Sequence, residues 1–194
     1  FGIPLLYPWA NRLGAWAYEA CGRRVELDRG SPLLHGDEHC LPIHGALAAS
    51  SAWKGTGRDS DEDLAWLAAE LDFASHPELL AVFPFPHRLE LAIRISPTTL
   101  SVTTDVIADR ASPVPLSFGF HPYLALPGAA RERWQVTLPA RAELPLDARR
   151  LPTGASRPQP AADFVLGERT FDDLCAVPES PARFSVSGGG RRLT

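Results

Sequence analysis

Leu89-Glu90-Leu91-Ala92-Ile93-Arg94-Ile95 places Leu89, Leu91, Ile93 and Ile95 on one face and Glu90 and Arg94 on the other. Successive side chains of an extended chain point to opposite faces, so this period of two makes a half-buried strand. Ser96-Pro97-Thr98-Thr99 carries turn chemistry, and the chain then alternates again over 100–108 through Val102, Thr104 and Val106. Residues 89–108 therefore read as a β-hairpin, with 89–95 antiparallel to 100–108.

Outward from the hairpin, further strands are expected at 114–120, 134–138, 164–166 and 184–186. The chain carries 15 glycines and 19 prolines in 194 residues, above the roughly 12% of average usage. Between Pro84 and Pro160 no proline-free stretch exceeds 15 residues, which leaves 9–31 and 43–76 for a helix of several turns. Strand is expected to exceed helix at least threefold. Residues 61–71 pull the other way, because Asp61, Glu62 and Asp63 precede strong helix formers as in a capped helix. Ala65, Leu67, Ala69, Leu71 and Phe73 also alternate, and the segment is assigned to strand. Residues 153–162 and the run Gly188-Gly189-Gly190 read as loops. Strands at short spacing with turns between them indicate an all-β sandwich or barrel, taken as one domain over 1–194.

Charge and composition exclude several functions. The formal net charge is −4 and the basic residues are scattered, which gives no footprint for nucleic acid or an anionic membrane. No run of about 18 apolar residues and no charged leader before an apolar stretch are found, so a cytoplasmic location is expected. Cys21, Cys40 and Cys175 are far apart and odd in number, which fits reduced thiols. His35, His39, Cys40 and His44 have the atoms for zinc, but Gly36 and Pro42 oppose the helix that an i, i+4 pair needs. No metal and no cofactor are expected.

In Ser117-Phe118-Gly119-Phe120-His121-Pro122-Tyr123, a strand places Ser117, Gly119 and His121 on one face. Gly119 leaves room beside His121 for a ligand, and Pro122 fixes the exit of the chain. The alternative is a core histidine bonded under a turn.

Five segments then occur in order: Gly2-Ile3-Pro4-Leu5-Leu6-Tyr7-Pro8-Trp9-Ala10-Asn11-Arg12-Leu13, Leu41-Pro42-Ile43-His44-Gly45, Phe83-Pro84-Phe85-Pro86-His87-Arg88-Leu89-Glu90, Gly119-Phe120-His121-Pro122-Tyr123 and Phe171-Asp172-Asp173. Together they resemble the successive motifs of the aldose 1-epimerases, or galactose mutarotases. The resemblance implies a large antiparallel β-sandwich of the galactose mutarotase type, here truncated at both ends, that interconverts the α and β anomers of a free sugar. It also implies that His121 is the general acid and that Arg12, His44 and Asp172 bind sugar, with Asn11 beside Arg12 and Asp173 replacing Asp172 if the register slips by one.

These residue types suit the reaction. An imidazole can give the ring oxygen a proton and recover it; a guanidinium offers a donor fork, and a carboxylate accepts from hydroxyls. Trp9 or Trp53 is expected near enough to stack on a sugar. Two features depart from the family. No segment after Asp173 resembles its glutamate base, and Glu179 sits in a turn-like setting, so the base is expected beyond Thr194. His87 stands where an aromatic or apolar residue is expected. The other readings are a non-catalytic sugar-binding or sugar-sensing protein of the same fold, and a phosphosugar mutarotase, which needs basic groups beyond Arg12. The identity of the sugar and the oligomeric state stay open.

Overall fold

The computed structural model describes residues 2–48, 50–109, 112–177 and 181–194. Strand makes up 42% of the chain and helix 6%. The chain forms two compact units, Phe1–Pro122 and Tyr123–Thr194. Among the described residues no helix is long and apolar enough to cross a membrane.

The first unit begins with β1 (Leu5–Leu6), the hairpin of β2 (Ala17–Ala20) and β3 (Arg23–Glu26), and the short pair β4 (His35–Gly36) and β5 (Pro42–Ile43). A four-stranded antiparallel sheet follows: β6 (Lys54–Ser60), β7 (Ala65–Asp72), β8 (His87–Ile95) and β9 (Leu100–Ala108), paired in that order. The deciding hairpin is present as read, from Ile95↔Leu100 at the turn to His87↔Ala108. Residues 65–72 are a strand. The acids before them cap a tight turn, because Asp61 Oδ1 accepts the N–H groups of Asp63 and Leu64 at 2.9 and 2.8 Å. Helix-like chemistry at 61–63 is thus spent on the β6–β7 connection, since an aspartate bonding its own following backbone serves a turn as well as a helix start.

Residues 9–31 and 43–76 carry strands, and the one α-helix among the described residues, α1 (Pro77–Val82), starts just after the second of these stretches. Pro77 occupies the first helical position, where its missing N–H costs nothing, and Leu79 and Val82 enter the core. The strand expected at 114–120 shrinks to β10 (Gly119–Phe120), paired with β1, with Ser117 bridging Trp9. Pro113 and Pro115 supply no N–H for a ladder there.

The core of this unit gathers Tyr7, Trp9, Leu71, Phe73, Phe83 and Leu89 with their neighbours. His87 belongs to it at 4% exposure. Its Nδ1 lies 2.5 Å from the Phe85 carbonyl and its Nε2 lies 2.7 Å from the Tyr7 hydroxyl. Nδ1–H donates to the carbonyl, so Nε2 accepts from the Tyr7 O–H and the ring is neutral. It stacks on Phe73 at a centroid distance of 4.1 Å. An imidazole therefore replaces an apolar ring here by satisfying both nitrogens.

Burial pushes the His87 pKa down, outweighing the Phe85 bond and the Asp72 charge. A neutral buried histidine contributes stability that is complete above its unfolded pKa of about 6.5 and declines as pH falls below it toward the lower folded value, because the unfolded chain then binds more protons. Melting temperature is expected to drop between pH 7.5 and 5, and the part due to this site to vanish in His87→Phe. His87→Ala is expected to cost about 3–5 kcal/mol, through the cavity and the stranded Tyr7 hydroxyl, read by urea unfolding at pH 7.5.

The second unit holds β11 (Gln135–Leu138), β12 (Arg141–Glu143), β13 (Arg157–Gln159), β14 (Ala162–Val165), β15 (Cys175–Ala176), β16 (Ser185–Gly188) and β17 (Arg191–Leu193). They form a sheet in the order β14-β11-β16-β17 and a second in the order β13-β12-β15. The loop expected over 153–162 contains β13, which pairs with β12 from Arg141↔Gln159 to Glu143↔Arg157. The glycine run is a hairpin turn: Gly188 pairs with Arg191, and Gly189 and Gly190 have φ of 58° and 75°. A two-residue turn of this hand needs positive φ at both positions.

Candidate active site

The backbone of residues 4–13 assembles the site. His121 N–H donates to the Pro4 carbonyl at 3.0 Å, and Ala10 N–H donates to the Ser117 carbonyl at 2.7 Å. On its other side the same segment meets 42–46. Tyr7 bridges Gly45, Arg12 bridges Ile43, and His44 N–H donates to the Asn11 carbonyl at 3.0 Å. One extended segment thus carries Asn11 and Arg12 while holding His44 and His121 in reach of them.

Gly45 makes the approach possible. Its φ is 66°, and a Cβ there would lie 2.2 Å from the Tyr7 carbonyl oxygen, so no other residue fits without moving the backbone. Asn11 and His44 have φ of 104° and 66°, values uncommon away from glycine and frequent at ligand sites. Gly119 has another role than the one expected of it: a Cβ there would meet the Ala10 methyl at 3.0 Å. The missing side chain admits residues 9–10.

The His44 and His121 rings stand edge to face with centroids 5.9 Å apart. Burial, then the nearby His121 and the Arg12 charge, lower the His44 pKa, so His44 is a neutral hydrogen-bonding group at pH 7. Its Nδ1 is buried and has no hydrogen-bond partner. The Arg12 side chain is 10% exposed. Its Nε pairs with Asp37 Oδ2, while Nη1 donates to Asn11 Oδ1 at 3.2 Å and Nη2 to Glu38 Oε1 at 3.4 Å. Burial pushes the Asp37 pKa up, but bonds from Leu41 N–H, Arg12 and His39 N–H outweigh it and hold the carboxyl below the usual range.

Asn11, Arg12, His44 and His121 thus converge within the first unit. Asp172 and Asp173 are exposed residues of the second unit, where they line a cavity of about 640 Å³ with Phe164, Phe171, Arg141 and Glu143. Asp172 Oδ2 lies 3.3 Å from Arg150 Nη1. Trp9 is 5% exposed, in the core against Tyr18, so it offers a sugar no open face. Trp53 lines a groove of about 370 Å³ with Leu5, Leu91 and Phe120. His39 lies 3.7 Å from Glu38, and His35 is exposed on β4; among the described residues no group of three His, Cys, Asp or Glu is placed to hold a metal ion. Glu179 lies outside the described residues. Nothing in the local sequence marks Asp37 and Glu38 as partners of Arg12. Asp37 four residues before Leu41 and next to Gly36 is a turn signature, but its pairing with a residue 25 positions away has no local signal.

The sequence model of the aldose 1-epimerase family matches residues 1–175. No curated protein matches. Among solved structures, a galactose mutarotase-like protein from Clostridium acetobutylicum is similar at a TM-score of 0.69 and 24% identity, over 81% of this chain and 46% of that one. A galactose 1-epimerase from Lactobacillus acidophilus is similar at 0.66 and 16% identity, over 95% and 57%. An aldose epimerase homologue from C. elegans is similar at 0.65 and 14% identity, over 95% and 58%. The chain spans about half the length of these structures and shares their β fold. With the family's sequence model matched over most of its length, the chain belongs to the aldose 1-epimerase family.

Proposed function

We propose that the Arg12, His44 and His121 cluster binds a free aldose and supplies the acid of an anomer interconversion. The observation that carries this reading is the convergence of a guanidinium fork and two imidazoles from segments 12, 44 and 121 on one strand-like scaffold. His121 gives a proton to the ring oxygen while the anomeric hydroxyl loses one to a base. The C1–O5 bond breaks, the C1–C2 bond rotates, and the ring recloses on the other face of the aldehyde as both protons return. His44, neutral and close to His121, and Arg12 hold hydroxyls. On the resemblance alone, Asp172, or Asp173 one residue later, is proposed as a hydroxyl acceptor. The base is assigned to no residue of 1–194, because no segment after Asp173 resembles the family's glutamate motif; Asp37 and Glu38, the carboxylates beside the cluster, are engaged by Arg12. The reaction asks for no cofactor.

The same pairing favours a neutral sugar over a phosphosugar. Two carboxylates offset the one guanidinium, so the cluster has no surplus positive charge to hold a phosphate. Polarimetry of freshly dissolved α-galactose or α-glucose tests the reading. Residues 1–194 alone are expected to accelerate mutarotation little above buffer, since losing one of two proton-transfer partners removes a factor of roughly 10²–10⁴. A longer polypeptide containing these residues and a carboxylate base is expected to accelerate it strongly. Inactivity of that polypeptide on every common aldose, with calorimetric binding of one, would replace the enzyme by a sugar-binding protein.

A further inference from the structure

The Asp37 side chain is 2% exposed, yet its carboxylate serves two different partners through its two oxygens. Oδ1 accepts the backbone N–H groups of His39 and Leu41 at 2.9 and 2.8 Å, and Oδ2 takes Arg12 Nε. The turn it closes is further tied by Asp37 N–H to the Leu41 carbonyl at 2.9 Å and by Trp16 Nε1 to the Cys40 carbonyl at 2.7 Å. That turn leads directly into β5, which bridges Arg12 and delivers His44.

We propose that Asp37 is a positioning residue for sugar binding: it grips Arg12 at Nε and so presents the Nη groups of the fork to sugar hydroxyls. This role rests on the sugar-site reading above. A guanidinium has five N–H donors. Asp37, Asn11 and Glu38 engage one each, and two Nη donors remain for a ligand. Arg12 has many rotamers when unrestrained; with Nε held, that freedom is surrendered on folding and not on binding, which is how preorganisation raises affinity. Glu38 is 60% exposed and meets only the outer edge of the fork, so it cannot replace this grip in water.

The division of labour between the two oxygens makes the role testable. In Asp37→Asn, Oδ1 still accepts from His39 and Leu41, but the amide nitrogen turns a donor toward Nε–H. The turn survives and the grip is lost. Two readouts apply. Phenylglyoxal modification followed by peptide mass spectrometry reports the freedom of Arg12 against Arg24, which is 64% exposed. Calorimetry with D-galactose and D-glucose reports binding. Asp37→Asn is expected to speed modification of Arg12 severalfold with Arg24 unchanged, and to raise the sugar Kd roughly tenfold, the loss of one charged hydrogen bond. In an Arg12→Ala background the Asn substitution is expected to change Kd no further. Arg12→Lys, which leaves the Asp37 turn intact, is expected to bind close to as weakly as Arg12→Ala, because an ammonium drawn onto Asp37 has no second pair of donors at the Nη positions of the fork.

Unchanged Arg12 reactivity in Asp37→Asn, with sugar still bound as in the wild type, overturns the role of Asp37 alone. So does an equal loss of affinity with and without Arg12, the mark of a turn staple only. If Asp37→Asn does not fold, wild-type affinity in Arg12→Lys overturns it. A wild-type protein that binds neither sugar, while Arg12 still responds to Asp37→Asn, overturns the sugar-site reading and with it the purpose assigned to the grip.

Discussion

His121→Asn is expected to lower kcat for mutarotation roughly 10²- to 10⁴-fold while KM changes by less than about threefold, in an active polypeptide carrying these residues. Asparagine keeps a hydrogen-bonding group at the ring oxygen but has no proton to release near neutral pH. The backbone N–H of residue 121 donates to the Pro4 carbonyl at 3.0 Å, a bond that asparagine retains, so the scaffold is expected to stay intact. Progress curves by polarimetry over a range of aldose concentrations separate the two constants. A comparable fall in binding would make His121 a ligand holder and leave the acid unassigned.

Arg12→Ala is expected to act on binding first. Removing the charge-assisted bonds of a guanidinium to neutral hydroxyls costs about 1.5–3 kcal/mol, a rise in KM of roughly 10- to 100-fold, with kcat reduced less. It has a second cost that a surface arginine would not have. Asp37, whose side chain is 2% exposed, loses its cation while keeping the His39 and Leu41 N–H groups, and the loss of that charged hydrogen bond costs about 1.5–3 kcal/mol. Thermal unfolding of Arg12→Ala is therefore expected well below the wild type, with part of the loss recovered by adding Asp37→Asn. Kinetics are best taken at low temperature, where the folded fraction is complete. A surface ion pair at Arg12 would predict neither change.

Much of this arrangement is legible from local patterns. Alternation at 89–95 and 100–108 sets the hairpin because one face of that sheet is covered at its core end, with Leu89 at 0% exposure and Leu91 and Ile93 half-buried, although Ile95 at the turn is 51% exposed, and a one-residue slip would turn Leu89 outward. At 65–72 pairing to a neighbouring strand on each side and the burial of Leu71 at 1% exposure outweigh helix propensity, although Leu67 on the same face is 43% exposed. Residues 114–120 read as a longer strand than they form because their apolar residues suit a sheet while Pro113 and Pro115 withhold the N–H groups a ladder needs. Gly119 is misassigned for a related cause: a missing side chain signals close approach without saying what approaches, and here it is Ala10. The motif order singles out Arg12, His44 and His121 as candidates, whereas Asp37 meets Arg12 through a contact made only when 12 and 37 come together in the fold.

The cluster as a sugar site is tested most directly by the imidazole Cε1–H resonances of His44, His121 and His87, assigned by single His→Asn and His→Phe substitutions and followed as D-galactose or D-glucose is added. The account predicts saturable shifts of the His44 and His121 signals along one binding curve, with His87, enclosed between Tyr7 and the Phe85 carbonyl, unmoved. Calorimetric binding of either sugar with the His44 and His121 signals stationary would contradict it.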